Sequence, residues 1–139
     1  MSLELELGVF SDTFAYGASI GARLSLANRS RNPVFINSRL LLSGSNQHEL
    51  GIVVRSPAGQ LPFRQKVLVR QSSHEFQWLR SQHFLGFDLD LTEHFELGPG
   101  RYDVWAIYRN RTDPPAGAEA KGVWKGTIKS RPTALTIMP

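Results

Sequence analysis

Alternation of apolar and polar residues with a period of two runs through almost the whole chain, and no stretch of eleven or more residues sustains a helical apolar stripe. Leu3, Leu5, Leu7 and Val9 share one face of a first predicted strand, with Glu4 and Glu6 on the other. After a turn at Tyr16-Gly17, Ile20, Ala22, Leu24 and Leu26 form the apolar face of a second strand, opposite Arg23 and Ser25. The cluster Asn28 to Pro33 is a turn, and a third strand runs from Val34 to Ser43, apolar on both faces in places. Gly44-Ser45-Asn46 breaks it, and His48 to Arg55 resumes with Leu50, Ile52 and Val54 in step. Ser56-Pro57-Ala58-Gly59 is a further turn, because proline presets φ and glycine adopts the φ that other residues avoid.

Gln65 to Gln71 reads as a strand with Val67 and Val69 inward and Lys66 and Arg70 outward, Arg64 just before it. The stretch 72–85, with Phe76, Trp78 and Leu79, fits a short strand or an anchored loop. Phe87, Leu89 and Leu91 alternate with Asp88 and Asp90, and Thr92 to Phe95 reads as one helical turn. The segment 111–120 holds two prolines and small residues, and is the mobile loop expected of this chain. Gly122 to Lys129 is a strand that places Trp124 on the core side with Gly126 and Ile128. Arg131-Pro132 interrupts it, and Thr133 to Met138 closes the chain with Leu135 and Ile137 inward.

Leu97-Gly98-Pro99-Gly100-Arg101-Tyr102 is the most specific local signal: a tight turn feeding a strand with Tyr102, Val104, Ala106 and Tyr108 inward. It resembles the tyrosine corner of immunoglobulin-like sandwiches, in which a buried tyrosine near the start of strand F bonds its hydroxyl to nearby backbone. With Phe87 to Thr92, the run Val123 to Ser130, Gly17, the Asn28 turn and Val34 to Asn37, it is similar to bacterial immunoglobulin-like modules, many of them uncharacterised. The resemblance covers most of the chain and implies an all-β, immunoglobulin-like antiparallel β-sandwich of seven to nine strands, one domain over residues 1–139. Modules of this shape serve as adhesion units, protease inhibitors, chaperone-like subunits and spacers, so the resemblance implies a fold and no chemistry. The third strand carries Phe35 and no tryptophan, and there is no cysteine pair, so an antibody-type domain is not expected.

Composition narrows the class further. At 139 residues the chain suits a single domain with a real core. The absence of cysteine removes disulfides and thiolate metal sites, and leans towards a reducing compartment. Met1 leads into an alternating strand with no basic start or apolar block, so the expectation is a cytoplasmic protein or one domain of a longer one. The net charge is +4, with twelve arginines against four lysines, but the basic residues are scattered from Arg23 to Arg131 rather than clustered. A solvated surface is therefore expected, with no nucleic-acid partner and no membrane span. Asn28-Arg29-Ser30 and Asn110-Arg111-Thr112 match the glycosylation pattern and read as chance matches in turns.

No catalytic constellation is legible. His48, His74, His83 and His94 lie in no recognisable motif, and the neighbours in Ser72-Ser73-His74-Glu75 point to opposite faces of a strand. Asp88 and Asp90 share a face and with Glu93 could offer oxygens to calcium, yet a calcium site takes about six to eight of them. The expectation is no enzyme, no metal and no cofactor. Trp78 alone does not make a sugar platform.

Binding is the better lead. If Tyr102 and its partners face inward, Trp105 and Ile107 face outward, flanked by Arg101, Asp103 and Arg109. Aromatic and arginine side chains together are typical of interface anchors. A loop folded over the ring would give the same pattern, and the sequence leaves both open. The expected function is a non-catalytic protein-binding module using Trp105, Ile107, Arg101 and Arg109. The alternatives are an intracellular protease inhibitor acting through the 111–120 loop, since a bacterial intracellular proteinase inhibitor has a similar sandwich, and a self-assembling subunit pairing its first or last strand.

Overall fold

The computed structural model describes residues 3–39, 42–43, 49–64, 75–114 and 122–139. In chain order the strands are β1 (Leu3–Val9), β2 (Thr13–Ala15), β3 (Gly21–Asn28), β4 (Val34–Asn37), β5 (Leu42–Ser43) and β6 (Leu50–Ser56). They continue as β7 (Gly59–Gln60), β8 (Phe76–Leu79), β9 (Phe84–Asp90), β10 (Gly100–Asn110), β11 (Gly126–Lys129) and β12 (Thr133–Met138). Among the described residues nine of these have four or more residues, and β2, β5 and β7 are pieces of two or three. The protein is all-β, with largely antiparallel sheets packed as a sandwich.

One sheet has the order β1-β3-β9. Its registers set Leu5 opposite Leu26, Leu7 opposite Leu24 and Leu24 opposite Phe87, so the apolar sets of three strands meet on one face. The second sheet has the order β2-β12-β10-β6-β5, with β11 also on β10 and β7 on β6. There Tyr102 lies opposite Leu135, Val104 opposite Val54, and Tyr108 opposite both Leu50 and Ile128. The two apolar faces close on each other as a single core, in which Val54, Val104, Ala106 and Tyr108 are fully buried. On the outside of the first sheet Arg29 bridges Glu4 and Glu6, leaving the edge strand β1 charged, which discourages edge-to-edge pairing.

The turn before β10 is fixed by its tyrosine. The Tyr102 hydroxyl donates to the Gly98 carbonyl at 2.8 Å, with the ring 9% exposed. Gly100 has φ +145°, a conformation that a side chain would strain, so the Gly98-Pro99-Gly100 run is what lets the chain enter the strand here. Just before it, Leu91–Glu93 forms a 3-10 turn capped by Asp90. One Asp90 oxygen accepts from the amides of Ile20 and Thr92 and from the Thr92 hydroxyl. Burial pushes the Asp90 pKa up, but these bonds outweigh it and hold the carboxyl below its ordinary value. Asp88 is engaged too, in a two-point pair with Arg23 directly across the ladder. Neither carboxylate is set aside for calcium, and among the described residues no group of His, Asp and Glu could hold a metal ion.

The interruption expected at Arg131-Pro132 is where β11 ends and β12 begins along the same edge of β10. Proline has no N–H to give to a ladder. Ser130 compensates: its amide donates to the Ala106 carbonyl at 2.9 Å, and its hydroxyl accepts from the buried Ala106 amide at 2.8 Å. The backbone of β10 therefore stays satisfied across the break.

Three expectations need correction. The third strand stops at Asn37 instead of running to Ser43, because the Asn37 side-chain oxygen accepts from the Arg39 amide and turns the chain. β4 pairs with β8 as a separate two-stranded sheet, and β6 lies next to β10. The strand expected from Gly122 begins only at Gly126, with Val123 in a lone bridge to Phe35. Trp124 is accordingly half-buried at the rim of the core, against Tyr108 at 5.5 Å between ring centroids and over Gly126, where a side chain would meet the indole at 3.4 Å. The strand expected at Gln65 to Gln71, the Gly44-Ser45-Asn46 break, His48 and Ser72-Ser73-His74 lie outside the described residues.

Two outcomes follow. Tyr102→Phe should lower stability by about 1 kcal/mol, read by urea unfolding, since one partly buried hydroxyl bond is lost without a cavity. The advantage of the Asp90 cap over an Asp90→Asn variant should be complete above the ordinary aspartate pKa of 3.8. It should fade as pH falls from there through the lower folded value, because a depressed carboxyl stabilises only while ionised; thermal melts across that range are the check.

Candidate functional site

The outward row of β10 is Arg101, Asp103, Trp105, Ile107 and Arg109, since the alternate residues Tyr102 to Asn110 are all buried. Neighbouring strands complete this face. Val53 lies opposite Trp105, Gly51 and Lys129 flank Ile107, Arg55 lies opposite Asp103, and Thr127 opposite Arg109. The four residues singled out from the sequence thus share one face, but they do not form one cluster. Trp105 and Ile107 are about 7 Å apart along the strand, whereas Arg101 and Arg109 stand about 27 Å apart at either end of the row.

Trp105 is half-buried. The Arg55 guanidinium carbon lies over the ring, 5.1 Å from its centroid, a cation–π contact. Arg55 and Lys129 come from other strands, and nothing in the local sequence around Trp105 marks them as its neighbours. Among the described residues they leave the face with four cations, Arg55, Arg101, Arg109 and Lys129, and one exposed carboxylate, Asp103, around a strip of Val53, Trp105 and Ile107.

Glu49 lies at the end of the same face, and the Arg109 amide donates to its carbonyl. Its carboxylate is held at two points by Arg39, at 2.6 and 2.8 Å, with side-chain exposures of only 7% and 13%. Arg109 is left over: its Nε is buried with no hydrogen-bond partner.

Beneath Arg109 is a buried polar knot that sequence reasoning missed. The Tyr108 hydroxyl donates to the Asn37 carbonyl at 2.8 Å, and the Asn37 amide nitrogen donates to the Asn110 side-chain oxygen at 3.1 Å. Asn110 in turn donates to the carbonyls of Thr112 and Trp124. Burial, aided by the nearby Glu49 charge, raises the Tyr108 pKa well above the ordinary phenol range, so the hydroxyl stays a donor. The only sequence signal was the appearance of Asn37 and Asn110 at positions where alternation calls for an apolar residue. Asn28 forms a second such knot, donating to the carbonyls of Asn32 and Leu79 and accepting from Ser30. Both glycosylation-pattern asparagines, Asn28 and Asn110, are therefore buried with their amides in use.

The other candidates stay apart. His94 stacks on Phe63 at 4.9 Å, and His83 is exposed in the turn before β9. Trp78 lies against Phe35 at 5.0 Å, as part of the β4–β8 pair. Most of the 111–120 loop lies outside the described residues. Among the described residues no helix is long and apolar enough to cross a membrane.

Arg39→Gln would remove the two-point guanidinium partner of the buried Glu49 carboxylate. It should cost about 3–5 kcal/mol in a urea-unfolding experiment, with most of the loss recovered when Glu49→Gln is added.

No family model matches this chain, and no curated protein matches it. Solved structures do match, among them a β-glucosidase from Listeria innocua in complex with glucose, at 14% identity with a TM-score of 0.39. The match covers 99% of this chain and 16% of the enzyme's, so the chain spans about a sixth of the length of that relative.

Proposed function

We propose that this chain is a non-catalytic protein-binding module of the immunoglobulin-like kind, recognising its partner through the outer face of β10. Trp105 and Ile107 are the apolar anchors, and the arginines at either end of the row, Arg101 and Arg109, pair with acidic groups of the partner. The observation that carries the reading is the composition of this one face among the described residues: a tryptophan–isoleucine strip among four cations and one exposed carboxylate, on a strand whose other face is wholly in the core. Tryptophan and arginine are the side chains that most often dominate binding energy at protein interfaces. The tyrosine-to-backbone bond of Tyr102 and the two packed sheets support the immunoglobulin-like assignment. The half-exposed state of Trp105, with Arg55 stacked over its ring, fits an anchor that keeps part of its surface open to a partner.

The test is affinity capture from lysate of the source cell, with wild type, Trp105→Asp and Phe84→Asp as baits. Phe84 is the control, an exposed ring on the other sheet. Trp105→Asp should stay folded, with a lowered melting temperature from the lost contact with Arg55, and lose a protein that the other two retain. Loss of folding in Trp105→Asp, or an unchanged catch, would remove the face from consideration.

A further inference from the structure

We propose that the outer edge of β11 takes an added strand from a partner: an extended acidic segment that hydrogen-bonds to the backbone of Thr127 and Lys129 and sets carboxylates beside Lys129 and Arg131. This edge is separate from the β10 face, although Lys129 borders both.

The register leaves the edge open. β11 and β12 follow each other along one side of β10, and β2 covers that side only beside β12, where Thr13 to Ala15 pair with Thr136 to Met138. Beside β11 no described strand takes that place. The Ser130 amide donates to the Ala106 carbonyl, and the Arg109 amide donates away from β11, to the Glu49 carbonyl. In an antiparallel pair successive residues alternate between facing the partner strand and facing away. Ile128 therefore turns its N–H and C=O to β10, and Thr127 and Lys129 turn theirs outward. Both of these residues are exposed, and their four backbone groups have no strand partner among the described residues.

The edge borders a groove of about 750 Å³ between the two sheets, with Leu5 and Leu7 on its far side and Ile128 and Thr133 on the near one. That volume suits a short peptide segment. β1 does not pair with β11 across it: β1 is bonded to β3, and the Leu7 carbonyl accepts from the Thr133 hydroxyl at 3.0 Å.

Charge selects the occupant. Glu4 and Glu6, on the far lip, share Arg29. Lys129 and Arg131, on the near lip, are exposed and have no ion pair among the described residues. The uncompensated charge is therefore positive. A second copy joined edge to edge would bring these cations against their own kind, whereas an acidic strand neutralises them. Addition to an open edge draws affinity from main-chain bonds and specificity from alternate side chains, so acids on one side of the segment meet Lys129 and Arg131 and small apolar residues on the other meet the groove.

The probe is an acetylated seven-residue amide, Ser-Val-Glu-Val-Glu-Val-Ser, beside its glutamine counterpart and a third peptide with proline for the central valine. Each is titrated into isotopically labelled protein while the backbone amides of Thr127 and Lys129 and the Trp105 indole are followed by NMR. The glutamate peptide should shift both amides downfield and bind at least about threefold more tightly than the glutamine peptide, with the gap closing in high salt. The proline peptide should not bind, since proline has no N–H to give to a ladder. In the double variant Lys129→Gln, Arg131→Gln the preference for glutamate should vanish while the Thr127 amide still shifts. Amides that the glutamate peptide leaves unmoved, or a proline peptide that binds as well, would overturn strand addition. Equal binding of the glutamate and glutamine peptides would overturn the acidic partner. Movement of the indole alone would place the peptide on the β10 face and remove the edge site without touching the reading of that face. Amide shifts that grow with protein concentration and no peptide would make a second copy the occupant, and Glu119→Gln shifting the same amides by itself would make it the chain's own acid; either would overturn the proposal.

Discussion

Strand β10 is hydrogen-bonded on both edges, by β6 on one side and by β12 and then β11 on the other. Nearly everything else depends on that double pairing. A strand held on both sides cannot slip by one residue without sending Tyr102, Val104, Ala106 and Tyr108 to solvent and Trp105 and Ile107 into the core. Burial of the inward row thus sets the outward row. The same constraint explains why the chain tolerates Pro132 only where Ser130 can stand in for the lost ladder bond.

The interior is not purely apolar, and its polar residues sit where the chain must change direction. Asn28 closes the turn after β3, while Asn37 and Asn110 tie the ends of β4 and β10 together beside Trp124. Each of these amides is buried and hydrogen-bonded, so together they specify one arrangement of strands at little cost. The Arg39–Glu49 pair does the same for the chain just before β6. It also occupies the carboxylate that lies next to Arg109, so an internal structural contact shapes the charge of the outer face.

How much of this was legible follows from the range of each interaction. The turn feeding Tyr102, the inward row of β10, a helical turn shortly after Asp90 (one residue earlier than Thr92), the break at Pro132 and the outward position of Trp105 were all readable, because each depends on residues a few positions apart. The separate β4–β8 pair was not, because Phe35 and Trp78 are distant in sequence and β4 is apolar on both faces, so alternation does not say which neighbour it takes. Trp124 was misplaced for a related reason. It keeps the strand period with Ile128, but the ladder starts only at Gly126, and the indole packs back on that glycine.

The sequence alone determined the class of the fold, the face each long strand buries, and the pairing of Trp105 with Ile107 on an outward row. Period-two alternation and turn chemistry are local, and they survive whatever the rest of the chain does. Only the tertiary structure decided which strands flank β10. It thereby brought Arg55 over Trp105, Lys129 beside Ile107, and Glu49 next to Arg109 but into the grip of Arg39. Those contacts join residues up to about sixty positions apart, and burial, register and competition between charges selected them.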